Sequence, residues 1–203
     1  MTSQQQLLGQ LIKTNILKTP QIIEAFKKVD RADFVLPEFL TQAYEDYPLP
    51  IGFDQTISQP TTVAIMLELL QPYRGEKILD IGSGSGWTTT LLGQITGVHG
   101  RILGIEIIPE LVKLGQVNLA KYHLAQAKIL LANKKLGLTQ HAPFSKILVS
   151  AAATSLPQEL VGQLKIKGRL VLPINNSIWQ IDKISDDQIR IKEYYGFSFV
   201  PLK

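Results

Sequence analysis

The sequence predicts an α/β fold built on a mostly parallel sheet, and three observations carry that prediction. Short apolar runs alternate with helical spacings through the middle of the chain, as strands joined by covering helices do. The first of these runs ends in the glycine turn of "LDIGSGSGW". After Pro173 the pattern changes to two alternating segments, the mark of an antiparallel hairpin on the sheet edge.

Two helical patterns open the chain. Gln5 to Lys13 carries apolar Leu7, Leu8, Leu11 and Ile12, and Pro20 to Val29 begins with proline, which the first turn of a helix tolerates. From Pro37 to Pro60, prolines and glycine interrupt any period, so this stretch is expected to be an extended loop, and loops of that length usually serve function or stay disordered. Helical spacing resumes from Gln59 to Gln71 through Val63, Met66, Leu67 and Leu70, with Ser58 placed to cap it. The strand "EKILDI", the glycine turn and a helix from Trp87 to Gln94 follow. Then come "RILGIEI" as a strand, Pro109 to Tyr122 as a helix, "AKILLA" and "FSKILVSAA" as strands, Gln158 to Leu164 as a helix and "GRLVLPI" as a strand. The closing hairpin pairs "IWQIDKIS" with "QIRIKEYYGF". We read one domain over 1–203: a helical lead-in and loop (1–58), an α/β core (59–174) and C-terminal strands (175–203).

A chain of 203 residues with 45% hydrophobic content suits one well-buried domain. Zero cysteines exclude disulfides, thiolate metal sites and a cysteine nucleophile, and His99, His123 and His141 lie too far apart for metal-ligand spacing. No metal is expected. No apolar run is long enough for a membrane span, and residues 1–10 are polar where a secretory leader needs an apolar centre, so a cytoplasmic monomer is expected. The net charge of +4 permits acidic partners, but the largest basic cluster is only Lys128, Lys134 and Lys135, which argues against nucleic acid.

The glycine turn is the strongest chemical signal. Gly82, Gly84 and Gly86, interleaved with Ser83 and Ser85, let a ligand approach the backbone at a helix N-terminus. The spacing G-x-G-x-G, with Trp87 next, fails both the dinucleotide fingerprint and the P-loop, so a diphosphate is disfavoured. Glu106 ends the second strand, where an acid can accept from both ribose hydroxyls. Turn and acid together suggest an adenosine ligand without phosphates, of which S-adenosyl-L-methionine is the common one. Asp80, just before the glycines, could hold either the loop or the ligand's amino group.

On wider motifs the chain resembles the protein-L-isoaspartate O-methyltransferases, which have a Rossmann-like class I methyltransferase fold with a seven-stranded sheet. The resemblance runs through "DYPLPIGFDQTISQP", "LDIGSGSG", "APF", "SAAATSLPQELVGQLKIKGRLVLPI" and the terminal "FVPL". It implies methyl transfer from S-adenosyl-L-methionine to the free α-carboxyl of L-isoaspartyl residues in damaged proteins or peptides. It also implies that Gln55, Thr56 and Ile57 cover the cofactor, that Ser58 is the active-site serine, and that Val200, Pro201 and Leu202 meet the substrate. Asn133 and Lys134 stand where the family commonly has Asp-Gly beside the adenine, which predicts weaker cofactor binding. Asp54 and Lys167 stand where glycine is usual, and Ser145 where an acid is. A methyltransferase for RNA or a small molecule, and a non-catalytic relative, are the competing readings.

Overall fold

The computed structural model describes residues 2–133 and 135–202. Helix α1 (Gln4–Lys13) starts where Ser3 can cap it. The Ser3 hydroxyl accepts from the Gln6 amide, and the Gln6 side chain accepts from the Ser3 amide. Helix α2 (Pro20–Lys28) starts on its proline, which has no N–H to leave unsatisfied.

The stretch expected as an extended loop is more ordered than its composition suggests. It holds short 3-10 turns at Arg31–Phe34 and Pro37–Gln42, then an antiparallel hairpin of β1 (Leu49–Gly52) and β2 (Gln55–Ile57). Phe53 and Asp54 reverse the chain, both with φ of 56°, the left-handed conformation that matches the twist of a two-residue hairpin. Neither residue is the Asn or Gly that normally announces such a turn. Lys167, the other residue found where glycine is usual, also has positive φ, at 66°. Both residues take a backbone conformation that glycine adopts at less cost.

The core elements follow in order: α3 (Pro60–Leu70), β3 (Lys77–Ile81), α4 (Trp87–Thr96), β4 (Arg101–Glu106), α5 (Pro109–Ala120), β5 (Ala127–Leu131), β6 (Phe144–Val149), α6 (Gln158–Gly162), β7 (Leu164–Ile174), β8 (Ser177–Lys183) and β9 (Ile189–Tyr195). The helix before β7 is shorter than its sequence pattern, and β7 begins earlier, at Leu164. The seven strands of the main sheet lie in the order β5-β4-β3-β6-β7-β8-β9. Pairs from β5 to β7 are parallel, while β7–β8 and β8–β9 are antiparallel. The chain leaves β3 toward one edge and returns to its other side as β6. Loops diverge at that point, and the carboxyl ends of β3 and β6 border a crevice.

Alternation along the strands sends successive side chains to opposite faces. Ile78, Ile102, Leu148 and Val171 join one core under α1 to α5, and Leu79, Leu103, Ile147 and Leu170 join the other under α6 and Leu138. The cover is uneven, with five helices on one face and one short helix on the other. Helix α2 packs on α4, so the lead-in completes the core and α4 is buried almost all round. Among the described residues no helix is long and apolar enough to cross a membrane.

Candidate active site

A cleft opens at the switch point. The glycine turn forms its floor, the ends of β4 and β5 one wall, residues 200–202 the other, and the β1–β2 hairpin its roof. Gly86 must be glycine: its φ is 92°, and a Cβ there would lie 2.9 Å from the Gly115 carbonyl of α5. This close seat fixes where α4 begins. Ile51 of the roof reaches to 3.2 Å from where a Gly84 Cβ would stand, so roof and floor close on each other.

Glu106 ties the floor to the wall. One carboxylate oxygen accepts from the Gly84 amide at 3.0 Å, and the other from Ile107 and Ile108 at 2.8 and 3.1 Å. A carboxylate has about four lone-pair sites, so roughly one is left, on the oxygen facing Gly84. That capacity fits one ribose hydroxyl rather than two in this arrangement.

Asp80 lies behind the cleft lining. Its side chain is fully buried and accepts from the Thr88 and Thr89 hydroxyls at 2.7 and 2.6 Å, pinning the first turn of α4. Burial pushes its carboxyl up to about 6, helped by nearby Glu106 and opposed by the two threonine hydrogen bonds. Holding the loop is therefore the one of its two expected tasks that is visible in the structure.

The other expected residues separate clearly. Gln55, Thr56, Ile57, Ser58, Gly82, Ser83, Gly84, Ser85, Glu106, Asn133 and Val200 to Leu202 all line the cleft, while Gly86 stands behind it with Asp80. Lys134 lies outside the described residues. Asn133 is exposed, and its amide oxygen accepts from the Lys135 amide at 2.8 Å, so its side-chain NH2 is the freer end. The C-terminal wall is held by Ala152 after β6, whose N–H donates to the Val200 carbonyl at 2.8 Å and whose carbonyl accepts from Leu202 N–H at 2.8 Å.

Ser58 does not cap α3. The cap position is Gln59, and the capping side chain comes from thirteen residues upstream of it in the chain: Asp46 accepts from the Thr61 amide at 2.9 Å and the Thr61 hydroxyl at 2.7 Å. The Ser58 hydroxyl has no hydrogen-bond partner among the described residues. Asp46→Ala should therefore cost about 1–2 kcal/mol of stability, the usual loss with a helix cap, whereas Ser58→Ala should stay within about 0.5 kcal/mol. Urea unfolding of both variants checks this; an equal loss at Ser58 would return the cap to it.

Sequence reasoning missed Trp87 and Ile51 as lining residues. It also missed Arg31, which is buried behind them and donates to the Ser58 carbonyl at 3.1 Å. Trp87 was readable from its place after the glycines. Arg31 carries no local signal.

The site fits an adenosine-type ligand on its own terms. Four buried side-chain atoms lack a partner among the described residues: Asp80 Oδ1, Ser83 Oγ, Trp87 Nε1 and Arg31 Nε. All belong to the glycine turn, its immediate flanks or the residue stacked on Trp87. Orphaned buried polar groups are costly and rare, and two of the four, Ser83 Oγ and Trp87 Nε1, belong to residues that line the cleft, where a ligand can meet them. Among the described residues no cluster of His, Asp or Glu could hold a metal.

A glycine floor, an acid at the end of the next strand and a parallel sheet with an antiparallel edge define the class I S-adenosylmethionine-dependent methyltransferases. Within that class, a sequence model of the protein-L-isoaspartate(D-aspartate) O-methyltransferases matches residues 2–203, and the chain belongs to that family. It is 40% identical over 201 residues to the protein-L-isoaspartate O-methyltransferase of Pyrobaculum islandicum, covering 97% of each chain. It is also 40% identical to that of Aeropyrum pernix, over 97% of this chain and 77% of the relative. Among solved structures, a Plasmodium falciparum protein-L-isoaspartate O-methyltransferase in complex with S-adenosyl-L-homocysteine superposes with a TM-score of 0.89 at 25% identity, covering 100% of this chain and 99% of that one.

Proposed function

We propose that Ser58 orients the substrate carboxylate in this site, opposite the wall formed by Val200, Pro201 and Leu202. The activity itself goes with the family: S-adenosylmethionine-dependent methylation of the α-carboxyl of L-isoaspartyl residues in damaged proteins. The observation that carries the proposal is the Ser58 hydroxyl, at the cleft and without a partner among the described residues, relieved of capping by Asp46.

When bound, S-adenosylmethionine supplies a methyl group on a positively charged sulfonium. The glycine turn with Ser83 and Ser85, Glu106 and Asn133 would hold its adenosine portion, and Gln55, Thr56 and Ile57 would cover it. No residue needs to act as a base. A carboxylic acid with a reference pKa of about 4 is already ionised at pH 7. Joining a carboxylate to a sulfonium methyl removes both charges, so apolar Ile51, Ile57 and Trp87 favour the transfer by excluding water. The hydroxyl of Ser58 is left to align the nucleophilic oxygen. We place the enzyme in the cytoplasm, where its methyl donor is made, as a monomer acting on peptide segments and not on nucleic acid.

The test is labelled donor offered with paired peptides that differ only in aspartyl or isoaspartyl linkage. Base-labile label should appear on the isoaspartyl peptide alone; label on RNA, or none at all, would sink the reading. Ser58→Ala should lower kcat/KM for that peptide about 30-fold, the value of one hydrogen bond to a charged group. An unchanged kcat/KM in the folded variant would remove Ser58 from the reaction.

A further inference from the structure

Arg31 presents an unusual combination. It is 2% exposed, and no carboxylate lies within ion-pair distance of it among the described residues. Its charge is met by neutral carbonyls instead. Nη1 donates to Ala43 at 2.8 Å and Glu45 at 3.3 Å, and Nη2 to Tyr47 at 3.0 Å and Ser58 at 3.1 Å. The guanidinium carbon lies 5.4 Å from the centre of the Trp87 ring, the first residue of α4. The Asp46 carboxylate acts on it only from beyond ion-pair distance, and a buried cation without a direct ion pair is a poor way to gain stability, since a well-packed apolar side chain of similar volume usually does as well or better. A planar fork, in contrast, can bind several separated carbonyls and stack on an indole at once, which a lysine cannot.

The base of this fork is itself braced. The Asp30 carboxylate accepts from the Ala32 amide and the Tyr44 hydroxyl, each at 2.9 Å. The Tyr122 hydroxyl, just past α5, accepts from the Asp30 amide at 2.9 Å and donates to Asp33 at 2.7 Å. Arg31 therefore reaches the roof loop from a fixed point. Since the Ser58 side chain has no hydrogen bond to any described residue, its place is set by its backbone, and the Ser58 carbonyl is held by this guanidinium.

We propose that Arg31 is a positioning residue for methyl transfer, locking the Ser58 backbone to the first turn of α4 so that donor floor and acceptor hydroxyl keep one spacing. The proposal rests on the carboxyl-methyltransferase reading of the site. It makes the effect of Ser58 depend on Arg31, which a purely structural arginine would not do.

The test is a double-mutant cycle of Arg31→Lys and Ser58→Ala, read as kcat/KM on the isoaspartyl peptide. Arg31→Lys should lose about 10- to 100-fold, as expected for a displacement near 1 Å, while donor affinity measured by calorimetry changes less than about 3-fold. In the Arg31→Lys background, removing the Ser58 hydroxyl should cost less than about 3-fold, against about 30-fold in the wild type. Equal costs in both backgrounds overturn the proposal. If Arg31→Lys does not fold, Arg31→Met, which removes the buried charge, takes its place in the cycle. If neither folds, Arg31 belongs to the fold alone and the proposal is overturned. Failure of the wild type to methylate the peptide would instead count against the reading of the site.

Discussion

Glu106→Gln is expected to weaken S-adenosylmethionine binding about 100-fold, because it removes the only kind of side chain that can serve three inward-facing amides. The carboxylate accepts from Gly84 on one oxygen and from Ile107 and Ile108 on the other. Glutamine has one acceptor oxygen. Whichever way it turns, its NH2 meets either the Gly84 amide or the Ile107 and Ile108 pair, donor against donor. Leaving such groups unmet costs about 1–3 kcal/mol each, so stability should also fall by about 2 kcal/mol. Titration calorimetry on the folded variant measures the first effect and urea unfolding the second. Unchanged donor affinity would take Glu106 out of the binding site.

The second large effect is a pH dependence at Asp80. Burial raises this carboxyl from 3.8 to about 6. Folding therefore makes it bind its proton more tightly, and the ionised form is penalised above pH 6. A shift of this size is about 3 kcal/mol. As pH falls from 7, wild-type stability should rise relative to Asp80→Asn, by about 1 kcal/mol at pH 5 and approaching about 3 kcal/mol below pH 4. Comparing the two proteins cancels the acid loss common to all their other carboxylates. Parallel stability curves would show that Asp80 titrates as an ordinary acid. The penalty at neutral pH is consistent with Asp80 being kept for the α4 start, where Thr88 and Thr89 donate to it.

The sheet was legible because its strands are short apolar runs with punctuation between them, and the glycine turn because its spacing excludes other nucleotide motifs. The small hairpin was not. Its strands are only four and three residues long, and its turn uses Phe53 and Asp54, of which only Asp54 is a usual turn residue. Ser58 was legible as a cleft-lining residue from its motif but misread as a cap. Capping falls instead to Asp46, a contact across the loop that no local pattern reveals. Arg31 was invisible for a similar reason: its four acceptors are main-chain carbonyls at Ala43, Glu45, Tyr47 and Ser58, and carbonyls leave no trace in side-chain identity.

The wall of residues 200–202 bears differently on how the enzyme can be silenced. Two main-chain bonds to Ala152 hold it, outside the strand ladders, and the apolar clusters on both faces of the sheet are built mainly from residues before it. A single proteolytic cut just before Val200 would spare Phe197 and Phe199, which pack against the core, and with them the sheet, the glycine floor and Glu106. If residues 200–202 meet the acceptor as proposed, the product would retain its donor and lose that wall, so methyl-donor occupancy and turnover would part company after one broken peptide bond.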